Sequence, residues 1–289
     1  MAGTLSLNGK SIIVTGAAGG LGRAMVDALA QAGADVAAVD LSEVALQTMA
    51  AEIAAGGAEG RVVPVAADLR QPDLCAEAVS RAVRALGRIN GLVNNAGIGL
   101  STIREDYYAR NLRFWEVPDE SWQAIFEVNV RASFLLAKAA IGDFLDQDWG
   151  RIVNVTTSMD TMIRRGWTPY GPSKAALEAQ SACWAKDLED TGVTVNVLVP
   201  GGPTNTAMVP AASSPNREAM VQPEVMRAPI CWLMSDESDG FTGKRLTGTG
   251  WDGTLPGNEA ASSAAAPIAW PGVGQQSVWS NLDDLRAAD

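Results

Sequence analysis

One stretch constrains this chain more than any other: Ser11-Ile-Ile-Val-Thr15-Gly16-Ala-Ala-Gly-Gly20-Leu21-Gly22. An apolar, β-branched strand pattern runs into a glycine-rich turn, and Leu21, Met25, Ala28 and Leu29 then recur at helical spacing. Glycines in such a turn let the backbone approach a pyrophosphate. The helix that follows offers N–H donors and the positive end of its dipole. A glycine repeat alone is equally a tight turn. Asp40 strengthens the reading, because it closes a second strand pattern, Asp35-Val-Ala-Ala-Val39, about 20 residues past the loop. An acid there suits a ribose hydroxyl; beside Ser42 it would equally start a helix.

The second feature is Tyr170-Gly-Pro-Ser-Lys174 in a chain with 0 histidines. Proton transfer near neutral pH then falls to another side chain, and tyrosine is a poor acid until its pKa is lowered. A lysine at i+4 of a helix shares the tyrosine's face. The alternative is a solvated Tyr/Lys pair on a helix surface.

Thr15-Gly-x-x-x-Gly20-x-Gly22, Asn94-Asn95-Ala96-Gly97 and Tyr170-x-x-x-Lys174 together resemble the short-chain dehydrogenase/reductase family, in that family's order, over roughly residues 8–250. The resemblance implies a single α/β domain with a doubly wound, Rossmann-like parallel sheet, and a homotetramer binding NAD. It places Gly16, Gly20, Leu21 and Gly22 at the dinucleotide, with Asp40 at the ribose and Asp68 and Leu69 near the adenine. Asn94, Ala96 and Gly97 follow on the next wall, and Pro200, Gly201 and Thr206 cover the nicotinamide. Tyr170 becomes the acid/base, with Lys174 keeping its phenol acidic and binding the nicotinamide ribose. Asn129 becomes part of a proton relay through a held water.

The sequence departs from the family in three places. Thr157 and Ser158 are both candidates for the hydroxyl that binds the substrate oxygen, where relatives usually carry serine. Side chains alternate along a strand, so one should face the site and the other should be a turn or capping hydroxyl. Counting along the strand prefers Thr157. From Asn94 to Asn129 is 35 residues, longer than the family pattern, and loops beyond about 12 residues are often functional lids. This insertion, 101–116, carries Arg104, Arg110 and Arg113, suited to a carboxylate unless Glu105, Asp106 and Glu116 pair with them. Its Tyr107, Tyr108, Phe114 and Trp115 would wall a bulky or cyclic substrate. After residue 250 the family's glycine-rich ending gives way to an Ala/Ser stretch that reads as linker. Trp270 and Trp279 suggest that the 251–289 tail docks on the domain or on a neighbouring subunit.

The remaining pattern alternates strands (near 11–15, 35–40, 61–66, 90–94, 150–156, 193–199 and 244–248) with helices (near 20–32, 43–55, 73–86, 119–147, 170–190 and 223–235). Such alternation predicts about seven parallel strands with helices on both faces. A net charge of −11 argues against nucleic-acid or anionic-membrane partners. Three scattered cysteines, without a CxxC pair, indicate neither disulfides nor a metal site and fit a reducing, cytoplasmic compartment. The expected activity is NAD(H)-dependent interconversion of a secondary alcohol and a ketone. A non-catalytic dinucleotide sensor or scaffold, and a lyase or epimerase using bound NAD, remain as alternatives.

Overall fold

The computed structural model describes residues 5–210 and 216–270. In chain order these comprise β1 (Ser11–Thr15), α1 (Gly20–Gln31), β2 (Asp35–Asp40), α2 (Glu43–Ala55), β3 (Val62–Ala66), α3 (Pro72–Leu86) and β4 (Gly91–Asn94). The second half follows with α4 (Asp119–Phe126), α5 (Ser133–Asp146), β5 (Gly150–Val155), α6 (Met159–Ile163), α7 (Tyr170–Asp187), β6 (Val193–Val199), α8 (Arg227–Leu233), β7 (Lys244–Thr247), α9 (Gly257–Ala264) and β8 (Ala265–Pro267).

Every residue of β1, β5 and β6 is buried, as strands covered on both faces require. Strand alternation sends Ile12 and Val14 toward Met25, Leu29, Met49 and Trp232, while Ile13 meets Val79, Leu136 and Phe144. Helices α1, α2 and α8 thus cover one face and α3, α5 and α7 the other. The strands lie in the order β3-β2-β1-β4-β5-β6-β7-β8. All pairings are parallel except the last. The order reverses between β1 and β4, where the connecting segments part and leave a crevice at the carboxyl ends. Both edge strands contain a proline, Pro64 in β3 and Pro267 in β8. Proline lacks an N–H and is tolerated at a sheet edge.

The sheet has an eighth strand that the sequence did not signal. The Ala/Ser stretch read as linker forms α9 and β8, with β8 antiparallel to β7. Ala260 and Ala261 are fully buried, their small side chains allowing close approach. The helix expected over 119–147 is interrupted by a π-helical turn, Glu127–Ala132, an extra residue that 3.6-residue periodicity does not register. Trp279 and the rest of the tail past Trp270 lie outside the described residues; Trp270 itself is exposed.

Candidate active site

At the reversal point opens a cleft of about 670 Å³, bordered by the glycine turn, Asp40, the β3–α3 turn, the β4 loop, the β5 corner, α7 and the loop after β6. Asn95 ties two of these walls together. Its Nδ2 donates to the carbonyls of Thr15 at 2.9 Å and Gly16 at 3.1 Å, while the N–H groups of Asn95 and Ala96 both donate to Thr15 Oγ1 at 3.0 Å. The approach is close enough to demand glycine. Gly16 has φ 62°, and a Cβ there would lie 2.8 Å from Ala96 Cα; at Gly22 a Cβ would lie 2.0 Å from the Gly16 carbonyl oxygen. Gly22 therefore packs beneath the turn and does not itself border the cleft. No side chain caps the start of α1 and no acid stands in its first turn. That terminus faces the cleft with its amides available to an anion, so the chain fits a dinucleotide pyrophosphate.

Gly16, Gly20, Leu21, Asp40, Asp68, Leu69, Ala96, Gly97, Pro200, Gly201 and Thr206 all line the cleft. Asp40 accepts from the N–H groups of Ala18 at 3.0 Å and Leu41 at 2.7 Å, which fixes its carboxylate at the end of β2. Asp68 is gripped by Arg70, whose Nη2 donates at 2.7 Å. Hydrogen bonding from Arg70 holds the Asp68 carboxyl below its usual range. Asn94 is a correction: it does not line the cleft. Its side chain is buried, donating to Asn154 Oδ1 at 2.8 Å, and Asn154 in turn donates to Ser181 Oγ at 2.8 Å. As the last β4 residue it points into the sheet's packed side, and Asn95 takes the place at the cofactor wall.

At the inner end, Tyr170 and Thr157 line the cleft together, and the Thr157 side chain is near enough to lower the pKa of the Tyr170 phenol. Ser158 also lines the cleft, but its hydroxyl is engaged locally. Its hydroxyl accepts from the Thr161 N–H at 3.2 Å and pairs with Thr161 Oγ1 at 2.7 Å, so it caps α6. Desolvation pushes the Tyr170 phenol up to about 12, and only the Thr157 side chain lowers it. Burial disfavours the charged form of the neighbouring lysine as well. Lys174 is pushed down to about 8, its Nζ donating to the Val155 carbonyl at 2.8 Å. Asn129 sits in the π-helical turn. Its Oδ1 accepts from the Ile98 N–H at 2.8 Å, and its Nδ2 donates to the Ile98 carbonyl at 3.1 Å and Ser173 Oγ at 3.0 Å. The amide thus clamps the β4 loop beside Lys174.

Lys174 gives a pH prediction. Below pH 8 the folded chain must bury an ammonium ion, a cost relieved as pH rises toward 10.4, where unfolded lysine loses its proton. Against Lys174→Met, the native protein should gain on the order of 2 kcal/mol between pH 7 and 9.5. Urea unfolding of both proteins at the two pH values checks this; a difference that stays flat with pH contradicts it.

The insertion builds one wall. Tyr107 and Leu112 are buried in a small core with Leu100, against which Tyr108, Trp167 and Tyr170 pack. Trp167, unnoticed in the sequence although three residues before Tyr170, meets Tyr107 and Tyr108 edge-on at 5.7 and 5.5 Å. Tyr107, Tyr108 and Trp167 line the cleft. Phe114 and Trp115, expected beside them, are exposed, meeting each other edge-on at 5.0 Å. The insertion's arginines are engaged: Arg104 with Glu116 at 3.6 Å, Arg110 with Asp106 at 3.6 Å, and Arg113 over the Trp115 ring at 5.7 Å.

Known proteins resemble this chain over most of its length. Residues 10–217 match the family model described as short chain dehydrogenase. The 3-oxoacyl-[acyl-carrier-protein] reductase of Thermotoga maritima is 32% identical over 260 residues, covering 87% of this chain and 99% of that protein. The 1-deoxy-11-beta-hydroxypentalenate dehydrogenase of Streptomyces exfoliatus is 35% identical over 212 residues, covering 73% of each. Among solved structures, a short chain dehydrogenase from Burkholderia cenocepacia in complex with NADP has a TM-score of 0.71 and 32% identity, covering 83% of this chain and 96% of that one. With its glycine turn, switch-point cleft and Tyr170/Lys174 helix, the chain belongs to the short-chain dehydrogenase/reductase family of oxidoreductases.

Proposed function

We propose that the protein interconverts a secondary alcohol and a ketone using NAD(H), with Tyr170 as the acid/base. The observation that carries this reading is that Tyr170, Thr157 and Lys174 line the inner end of a cleft whose outer end suits a dinucleotide. A bound nicotinamide supplies or accepts the hydride. In reduction Tyr170 Oη gives its proton to the substrate oxygen, and in oxidation it takes that proton back. Thr157 donates to the same oxygen as charge develops on it. Lys174 holds a ribose hydroxyl and, when protonated, favours the phenolate. Asn129 fixes the loop against which Lys174 rests. Nicotinamide absorbance measured over a panel of ketones and alcohols tests the reading; tightly retained cofactor without net absorbance change would favour a lyase or epimerase.

NAD(H) is preferred on the strength of Asp40, whose carboxylate would accept from a ribose 2′-hydroxyl and repel a 2′-phosphate. Arg70, a cation that lines the same cleft, is already taken by Asp68. We expect kcat/KM to favour NADH over NADPH by on the order of tenfold or more, and Asp40→Ala to shrink that margin. Because the Burkholderia neighbour carries NADP, equal or better use of NADPH by the native protein rejects the assignment.

The substrate is proposed to be bulky or cyclic, since the wall beside Tyr170 is the aromatic set Tyr107, Tyr108 and Trp167. Replacing 101–116 by a few glycines should lower kcat/KM for bulky ketones while NADH affinity holds. A parallel loss for small and bulky substrates would make the segment scaffold only. By family resemblance we propose a homotetramer in the cytoplasm, which light scattering and fractionation test. Among the described residues, no helix is long and apolar enough to cross a membrane.

A further inference from the structure

Burying two charges is costly, and well-packed apolar residues of the same shape usually serve stability at least as well as a buried ion pair. Glu178 on α7 and Arg245 on β7 nevertheless form such a pair, with 0% and 10% of their side chains exposed. Neither lines the cleft. All but one of their partners lie at the corner that carries Thr157. Arg245 Nη1 donates to Glu178 Oε2 at 2.7 Å and to Thr156 Oγ1 at 3.2 Å, and Arg245 Nη2 donates to the Thr157 carbonyl. Thr156 Oγ1 donates to Glu178 Oε2 at 2.7 Å, and Glu178 Oε1 accepts from the Ala269 N–H at 3.3 Å.

The corner needs such support. β5 pairs with β6 only as far as Val155, so the Thr156 and Thr157 peptides leave the sheet without ladder partners. The planar guanidinium fork reaches the acid and the Thr157 carbonyl at once, which a lysine's single ammonium does not. Tyr170, Lys174 and Glu178 recur four residues apart on α7. They meet the same corner at the Thr157 side chain, the Val155 carbonyl and the Thr156 hydroxyl.

We propose that Arg245, oriented by Glu178, is a positioning residue: it holds the Thr157 peptide so that the Thr157 hydroxyl stays in the cleft beside Tyr170, aimed at the substrate oxygen. Through Ala269, the same carboxylate fastens the C-terminal extension to this corner. The proposal rests on the hydride-transfer reading of Tyr170 and Thr157.

The test is the apolar replacement Arg245→Met/Glu178→Met, with Arg245→Lys as a second variant that keeps a cation for Glu178. The double replacement should fold, yet kcat should fall about tenfold or more, with NADH affinity unchanged. Thr157→Val should then cost less in that background than in the native protein. Hydrogen exchange at 156–161, read without substrate, should quicken while α7 and β7 stay protected. Native kcat in the folded double variant, an equal Thr157→Val penalty in both backgrounds, or unaltered exchange overturns the proposal. If the double variant does not fold, Arg245→Lys decides by the same readouts. Absence of turnover in the native protein would refute the oxidoreductase reaction and leave the exchange comparison to judge the positioning.

Discussion

Tyr170→Phe is expected to reduce kcat by about 10²–10⁴-fold while NADH affinity stays close to native. The substitution removes one oxygen and leaves the ring against Trp167, whose centroid is 6.0 Å away, so the wall of the cleft should stand. What disappears is the proton that the substrate oxygen must gain or lose. The chain has 0 histidines, and the other cleft-lining phenols, Tyr107 and Tyr108, are both pushed up by burial, so neither phenol is poised to replace it. Steady-state rates with a working substrate, set beside a fluorescence titration of NADH, measure the two quantities separately. A variant keeping about half its rate or more would remove Tyr170 from the acid/base role.

Thr157→Val carries the second large expectation, a fall in kcat of up to about 10²–10³-fold, as when one donor to a developing oxyanion is lost. Valine keeps the shape, so the change isolates the hydroxyl that lines the cleft beside Tyr170. The neighbouring Ser158→Ala should behave differently. It removes the α6 cap, bonded to the Thr161 N–H at 3.2 Å, and should cost about 1 kcal/mol of stability with little change in kcat. Thermal unfolding and steady-state kinetics on the two variants separate these outcomes. The reverse ranking in kcat would mean that Ser158, not Thr157, faces the substrate.

The legible parts of this protein were those encoded locally. Fully buried strands such as β6 read as unbroken apolar runs, and the glycine turn declared its close contacts through residues that tolerate no side chain. Four features escaped for identifiable reasons. The π-helical turn around Asn129 adds a residue without changing which side chains are apolar. The Ala-rich segment forming α9 and β8 resembles linker by composition, although alanine is the best helix former and its small side chain packs closely. Asn94 and Asn95 look alike in sequence, and only the end of the strand decides which turns outward. Arg245 and Glu178 are separated by 67 residues, so nothing local pairs them. Glu178 did carry one sign, its place a turn beyond Lys174 on the same helix.

The prolines in β3 and β8 bear on how copies of this chain can meet. An unpaired sheet edge invites strand addition, the route to fibrils and insoluble aggregates. Here the outermost strand on either side, holding Pro64 or Pro267, lacks one donor, and β8 is only three residues long. A strand from a second copy would find a broken row of donors and little length to grip. Crowding should therefore drive association through helix faces, with a defined stoichiometry, in preference to open-ended stacking of sheets.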